Sequence, residues 1–175
     1  ASAYQLASLD MTNLQSTYSY RFQGCSQLRE VKYSRYWNST RFYLFEECAN
    51  ITKVEFPTNI IGGGYLKLDG GTFRGCTSLE EIRIPSTVQS LGSQCFYLCS
   101  NLKTIQLDAM VPPSATEDNF GDQFSSARLI VPKGTLADYK TAAGWSLFKN
   151  IEESTEDVDL AKQEISDNVS FSDGT

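Results

Sequence analysis

The side chains with the greatest chemical reach are five cysteines, at positions 25, 48, 76, 95 and 99. A thiolate is a nucleophile and a soft metal ligand. Either role needs company, and the chain contains no His. That removes the commonest general base and the commonest metal-ligating side chain. Cys95 and Cys99 stand four apart, and there is no Cys-x-x-Cys pair. Neither a Cys–His nucleophile nor a zinc site is therefore expected. Glu46-Glu47 and Glu80-Glu81 are adjacent carboxylates, whose side chains diverge in direction. Gly62-Gly63-Gly64 and Gly70-Gly71 lack the Lys and hydroxyl residue of a phosphate-binding loop. No catalytic residue, metal ligand or cofactor is expected, and the chain reads as a non-enzyme.

The cysteines say more as a rhythm than as chemistry. Around Cys76 the chain reads F-R-G-C-T-S-L-E-E-I-R-I-P from Phe73 to Pro85. A Phe stands three residues before the Cys, a Leu three after it, and an alternating apolar pair follows. The frame recurs as Phe22, Cys25, Leu28, Val31, Tyr33; as Phe45, Cys48, Ile51, Val54, Phe56; and as Phe96, Cys99, Leu102, Ile105, Leu107. The four frame cysteines are spaced 23, 28 and 23 residues apart. A fixed period of this length is the mark of a solenoid, where each unit buries its apolar face only against its neighbours. At such positions Cys serves as a small core residue. Buried, reduced thiols are expected; a bridge between stacked turns, Cys76–Cys99 first, is the alternative. Cys95 stands where other turns carry Arg21, Leu44 and Thr72, and is expected as a core filler.

These elements place the rest. The alternating pairs predict short strands near 9–11, 31–33, 54–56, 82–84, 105–107 and 129–131. Pro57, Pro85 and Pro132 each follow a strand and stop it. Phe73–Leu79 and its counterparts predict a return arm of one irregular or helical turn. The third repeat is five residues longer, near Gly62–Leu66, and Tyr65–Gly70 reads as a projecting surface excursion. Segment 109–124 lacks the Cys and reads as a degenerate last repeat. Thr135 with Asp138 resembles a capping box that opens a helix over 136–143, ended by Gly144. Trp145, Leu147, Phe148 and Ile151 then need cover. The expected organisation is repeats over 1–132, a C-terminal cap over 133–151, and an acidic tail or linker over 152–175.

Composition narrows the partners. The 175 residues carry a net charge of -6. Residues 152–175 hold eight acids and one Lys, which leaves +1 on residues 1–151. A nucleic-acid footprint needs a strong basic surplus, so none is expected. No apolar run reaches about 18 residues, so no membrane span is expected. No secretory leader is visible at Ala1, as in a mature or trimmed product.

The unit F-x-x-C-x-x-L-x-x-I-x-I-P resembles the BspA-like leucine-rich repeats of bacterial surface proteins. The run V-P-K-G-T-L-A-D-Y-K-T-A-A-G-W-S-L-F-K-N-I is similar to the C-terminal cap of such proteins. The resemblance covers about residues 6–151. It implies an α/β solenoid: a right-handed superhelix of about six repeats with short parallel strands. It also implies a cell-surface or secreted protein, since members of the family are surface-exposed and some bind host matrix proteins or other bacteria. The residue pattern carries no ligand contact over from the family.

Two surfaces remain as binding candidates. The outward strand positions read Lys32, Glu55, Arg83, Gln106, preceded by Glu30, Lys53, Glu81, Thr104. Both rows alternate in sign, which fits either a ligand face or a ladder of charges that satisfy each other. The other candidate is an aromatic flank. Residues 18–43 hold five of the nine Tyr, with Trp37 and several Arg. Alignment puts Trp37 and Tyr33 in the core. It puts Tyr20 and Tyr43 at an outward position, with Phe42, Tyr36 and Arg41 beside them. Exposed aromatics next to Arg fit a protein interface or a sugar-stacking platform. They fit equally a cover for the frayed N-terminal end. The leading expectation is adhesin-like binding of a host matrix protein or another bacterial surface protein through Tyr20, Tyr36, Arg41, Phe42 and Tyr43. A glycan-binding accessory module and a structural spacer are the alternatives.

Denatured but unreduced protein should titrate five free thiols with a chromogenic disulfide. A lower count would reveal a bridge between turns.

Overall fold

The computed structural model describes residues 5–16 and 21–156. In chain order its strands and helices are β1 (Ser8–Asp10), β2 (Glu30–Lys32), β3 (Lys53–Glu55), β4 (Leu66–Leu68), β5 (Glu81–Ile84), β6 (Val88–Leu91), β7 (Thr104–Leu107), α1 (Gln123–Ser126), β8 (Arg128–Val131), α2 (Leu136–Thr141) and β9 (Asn150–Glu153). All described pairings are parallel, as in a coil whose turns stack in register. The result is a parallel solenoid of about six turns, with three sides to each turn and few helices.

The first side is the expected strand ladder. Each strand begins one residue before its apolar pair. The ladder still runs through that pair, since Met11 N donates to Lys32 O at 2.9 Å and Tyr33 N to Glu55 O at 2.8 Å. Glu30 sits beside Lys53 and Lys32 beside Glu55, the register that the repeats imply. The ladder is split, however. β1-β2-β3 form one sheet and β5-β7-β8-β9 another, with β3 and β5 unpaired. Val54 and Phe56 are only partly buried at the split, whereas Val31, Tyr33, Ile82 and Ile84 are buried. The expected unbroken charge ladder stops there too. Glu55 pairs with Lys32 at 3.3 Å and Lys53 at 2.6 Å, and Arg83 turns to Asp108 at 2.9 Å instead.

The second side is a ladder that the strand pattern did not predict. β4 pairs with β6, and single bridges join Ser39 to Lys67 and Ser90 to Ser114. Residues 65–70 are therefore no projecting excursion. Leu66 and Leu68 are fully buried, because alternate residues of β4 point into the coil. The extra residues loop out earlier, through the exposed Ile61, Gly62, Gly63, Gly64 and Tyr65.

The third side is the return arm. Here Phe22, Phe45, Phe73, Phe96 and Phe120 stack face to face, with centroids 5.5, 5.8, 5.5 and 5.4 Å apart in succession. Such pairs contribute about 0.5–1.5 kcal/mol each beyond the area they bury. The backbone stacks with them: Phe22 N donates to Leu44 O, Phe45 N to Thr72 O, Phe73 N to Cys95 O and Phe96 N to Asn119 O. The frame cysteines lock successive turns. Cys48 Sγ donates to Phe22 O at 2.9 Å, Cys76 Sγ to Phe45 O at 3.4 Å and Cys99 Sγ to Phe73 O at 3.1 Å. In the degenerate last repeat Gln123 stands three residues after Phe120, in the place of the Cys, and makes its own cross-turn bond, donating Nε2 to Cys99 O at 2.8 Å.

The arm is a chain of turns rather than a helix. In the turns of Phe45, Phe73 and Phe96 two places, two residues before and two after the Phe, take left-handed backbone. Tyr43, Glu47, Gln94 and Leu98 do so with φ of 58–62°. Each breaks helical geometry and costs a non-glycine residue about 1–2 kcal/mol. In the third repeat both places are glycine, Gly71 and Gly75, which removes that cost.

The C-terminal segment differs in one detail from its expected form. Thr135 makes no side-chain cap to α2; its hydroxyl donates to Pro132 O at 2.7 Å. Glu153 on β9 supplies the carboxylate instead, accepting from Gly134 N at 2.9 Å and Leu136 N at 3.3 Å. Tyr139, Trp145 and Phe148 are buried, and Leu147 stays exposed. Tyr139 OH donates to Ala109 O at 2.8 Å and Trp145 Nε1 to Pro113 O at 2.7 Å, which ties this segment to the last turn. β9 extends the parallel sheet past residue 151 into the acidic segment.

All five thiols are buried and free. Burial pushes Cys48 and Cys99 up to about 12 and raises Cys25, Cys76 and Cys95 as well. At neutral pH they are protonated donors, not nucleophiles.

Two tests follow from this packing. Phe73 is fully buried and touches Phe45, Phe56, Phe96 and Tyr33. Phe73→Ala should cost about 3–5 kcal/mol in urea denaturation, and a cost below 1 kcal/mol would contradict a continuous ring stack. The thiols set an alkaline limit. Above the ordinary thiol value of 9.0 the unfolded chain gives up protons that the folded chain holds to about 12. Stability is therefore complete below pH 9 and declines as pH rises between 9 and about 12. Denaturation midpoints across that range should fall, and less steeply in Cys48→Ala. A flat profile would show that the thiols ionise equally in both states.

Candidate functional site

The aromatic flank takes its shape from the third side of the coil. Tyr43 holds one of the left-handed places, with its N donating to Gly70 O at 2.9 Å. That conformation lays its ring over the next turn, at Gly71, where any Cβ would collide with the ring. Phe42 lies over Gly70 in the same way, where a Cβ would meet its ring at 3.3 Å. The two glycines thus form a shelf on which two rings rest, 6.4 Å apart and tilted by 46°. Phe42 remains 65% exposed and Tyr43 46% exposed. For Phe in particular this is unusual, because a fully apolar ring gains most from burial.

Around the corner, Tyr36, Arg41 and Phe42 border a cleft of about 410 Å³, with Gln15, Asn38, Ser39 and Asp69 also lining it. The structure thus gathers Tyr36, Arg41, Phe42 and Tyr43 on one corner of the coil. Tyr20 lies outside the described residues. Tyr36 is half-buried, with the Arg35 guanidinium 5.7 Å from its ring centre. Trp37 and Tyr33 are buried, as the alignment implies, and meet edge to face at 6.2 Å.

The base of the cleft is polar and internally satisfied. Ser39 Oγ donates to Asp69 Oδ2 at 2.5 Å, and Lys67 Nζ lies 3.4 Å from Asp69 Oδ1. Asp69 N donates to Thr40 Oγ1 at 2.7 Å, and Thr72 Oγ1 donates to Asp69 O at 2.6 Å. Thr72 has then used its proton, so Thr40 is the donor in their 2.9 Å contact. This network fixes the turn and neutralises Asp69.

The mouth of the cleft is different. Among the described residues, the carboxamides of Gln15 and Asn38 and the Tyr36 hydroxyl make no hydrogen bond. Residues 15, 38, 39 and 69 escaped sequence reasoning, since they converge only through the second ladder, which carries no strong period of its own. The strand face, by contrast, is largely self-paired. The Lys53 ammonium, then that of Lys32, holds the Glu55 carboxyl below its usual range, and Arg128 pairs with Glu152.

Among the described residues, no His, Cys, Asp and Glu cluster has the geometry of a metal site. None of their helices is long and apolar enough to cross a membrane.

Comparison with curated proteins finds no match to the chain. One solved structure to which it is similar is a leucine-rich cell surface protein from Faecalibacterium prausnitzii A2-165, at 19% identity and a TM-score of 0.45. That alignment covers 97% of this chain and 34% of the other, so the chain spans about a third of that protein's length. The family model described as the BspA type leucine-rich repeat region matches residues 2–112 in six copies. With a stacked Phe and Cys in each full repeat and most of its length matched, the chain belongs to the BspA-type leucine-rich repeat family.

Proposed function

We propose that the chain is a non-enzymatic recognition module displayed at a cell surface or secreted, and that it binds a protein ligand in the manner of an adhesin. The ligand would be a host matrix protein or another bacterial surface protein. The observation that carries this reading is the Phe42–Tyr43 pair, held exposed on a glycine shelf. Rings fixed by backbone geometry lose little rotamer freedom on binding and offer a large contact area. The buried, protonated thiols and the self-paired strand face offer little competing chemistry.

In the same reading, residues 133–151 act as the cap that a terminal solenoid unit needs, and 152–175 serve as an acidic tail or linker. A spacer role would leave the flank without a task. A glycan ligand has its own support in the cleft mouth, where carboxamides stand unpaired.

The test is capture of the purified chain on immobilised matrix proteins and on bacterial surface extracts. Phe42→Ala with Tyr43→Ala should weaken capture at least about tenfold, the loss of about 1.4 kcal/mol. Both side chains are exposed, so the melting temperature should hardly change. Unaltered capture by the double variant would remove the flank from the interface. Capture lost only together with the fold would make these rings structural.

A further inference from the structure

We propose that the cleft between Tyr36 and Phe42 binds a neutral pyranose residue of a glycan. This rests on the flank being the recognition surface, and it gives the flank's partner a sugar component.

The argument starts from what the cleft has left uncommitted. Ser39, Asp69, Thr40 and Thr72 satisfy each other. Gln15 and Asn38 do not; each exposes a carboxamide with no protein partner among the described residues. A carboxamide both donates and accepts. Two of them with the Tyr36 hydroxyl match a ligand whose own groups do both, such as vicinal sugar hydroxyls. The backbone adds to this. Lys67 N donates to Asn38 O at 2.9 Å, and Thr40 N donates to Lys67 O at 2.9 Å. In a parallel bridge the residue between, Ser39, then turns its own N–H and C=O the other way, away from β4 and toward the N-terminal side that Gln15 lines.

Charge and shape restrict the ligand further. Asp69 is balanced by Lys67 at 3.4 Å, so the base offers no net charge to an ionic ligand. Phe42 stands on the rim, exposed, and the Tyr36 ring walls the cleft. A pyranose has one face of C–H bonds, which the electron-rich face of an aromatic ring attracts. About 410 Å³ is ample for one sugar ring with its waters and lies in the range of small-ligand sites. A peptide fits less well. Strand addition needs a run of free backbone, and this edge is a single bridged residue, Ser39.

The test is saturation-transfer NMR of the whole chain with lactose, cellobiose and maltose, followed by titration of tryptophan emission, to which Trp37 beside the cleft and the distant Trp145 both contribute. Transfer to the ring C–H protons of at least one sugar is expected. Phe42→Ala and Asn38→Ala should each weaken its binding about tenfold or more. Gln89→Ala, at Asn38's counterpart position in a later turn, should leave it unchanged. Dextran against ovalbumin, intact and enzymatically deglycosylated, separates a free polysaccharide from a protein-borne glycan. No transfer to any of the sugars, or transfer that both variants retain, overturns the proposal. Loss of protein capture in the Phe42 and Tyr43 double variant without any sugar signal would leave the protein interface standing and remove the sugar. A sugar signal without protein capture would do the reverse.

Discussion

Every turn of this protein depends on the stacking of one phenylalanine on the next. Among the described residues the solenoid has no layer of long helices to bury its strands, so each turn must be satisfied by its neighbours. The Phe ladder supplies the apolar contact at a spacing of about one turn. Each Phe carbonyl accepts the backbone N–H of its own turn's cysteine, and for Phe22, Phe45 and Phe73 the thiol of the following turn's cysteine donates a second hydrogen bond. A carbonyl oxygen has two lone pairs, so both bonds are accommodated. The thiol thus adds a bond between turns to the space it fills, which Ala or Val could not donate. In the last turn, where the cysteine is missing, Gln123 makes a cross-turn bond to a different carbonyl, that of Cys99.

The same arm creates the recognition surface. Around Phe45, Phe73 and Phe96 the return path turns through left-handed residues on either side of the Phe, and the chain accepts that strain at Tyr43, Glu47, Gln94 and Leu98. At Tyr43 the strain is put to use, since the left-handed backbone lays the ring flat on the following turn. Gly70 and Gly71 leave room for it. Gly92 answers a separate constraint one turn on. A Cβ there would come within 2.5 Å of Gly70 N, so the two backbones approach as closely as glycine allows. Shelf, rings and cleft are thus consequences of how three consecutive turns meet.

Much of this was legible in the residues. The strand positions, their register, the burial of the cysteines, and the core placement of Tyr33 and Trp37 follow from aligning the repeats. Tyr43 and Phe42 were assigned to the surface on the same basis. The reading missed where geometry is not periodic. Leu66 and Leu68 read as an excursion because an insertion precedes them and shifts the frame; in the fold they pair with β6 and point inward. The charge rows suggested an unbroken ladder, yet β3 and β5 are unpaired and Arg83 finds Asp108 instead. Thr135 and Asp138 had the spacing of a capping box, but Glu153, nearly twenty residues on, reaches the amides first.

The residue pattern by itself determined the solenoid, its number of turns and the identity of its core, because a repeat states the same packing problem several times and admits one solution. It also withheld the commonest catalytic partner, since the chain has no His and every frame cysteine falls in a core position. Only the tertiary structure decided the cleft. Gln15, Asn38, Ser39 and Asp69 come from three different turns, and their nearness depends on a second ladder built largely on single backbone bridges. Backbone hydrogen bonding leaves little trace in side-chain pattern, so what those bridges bring together could not be read before the chain was folded.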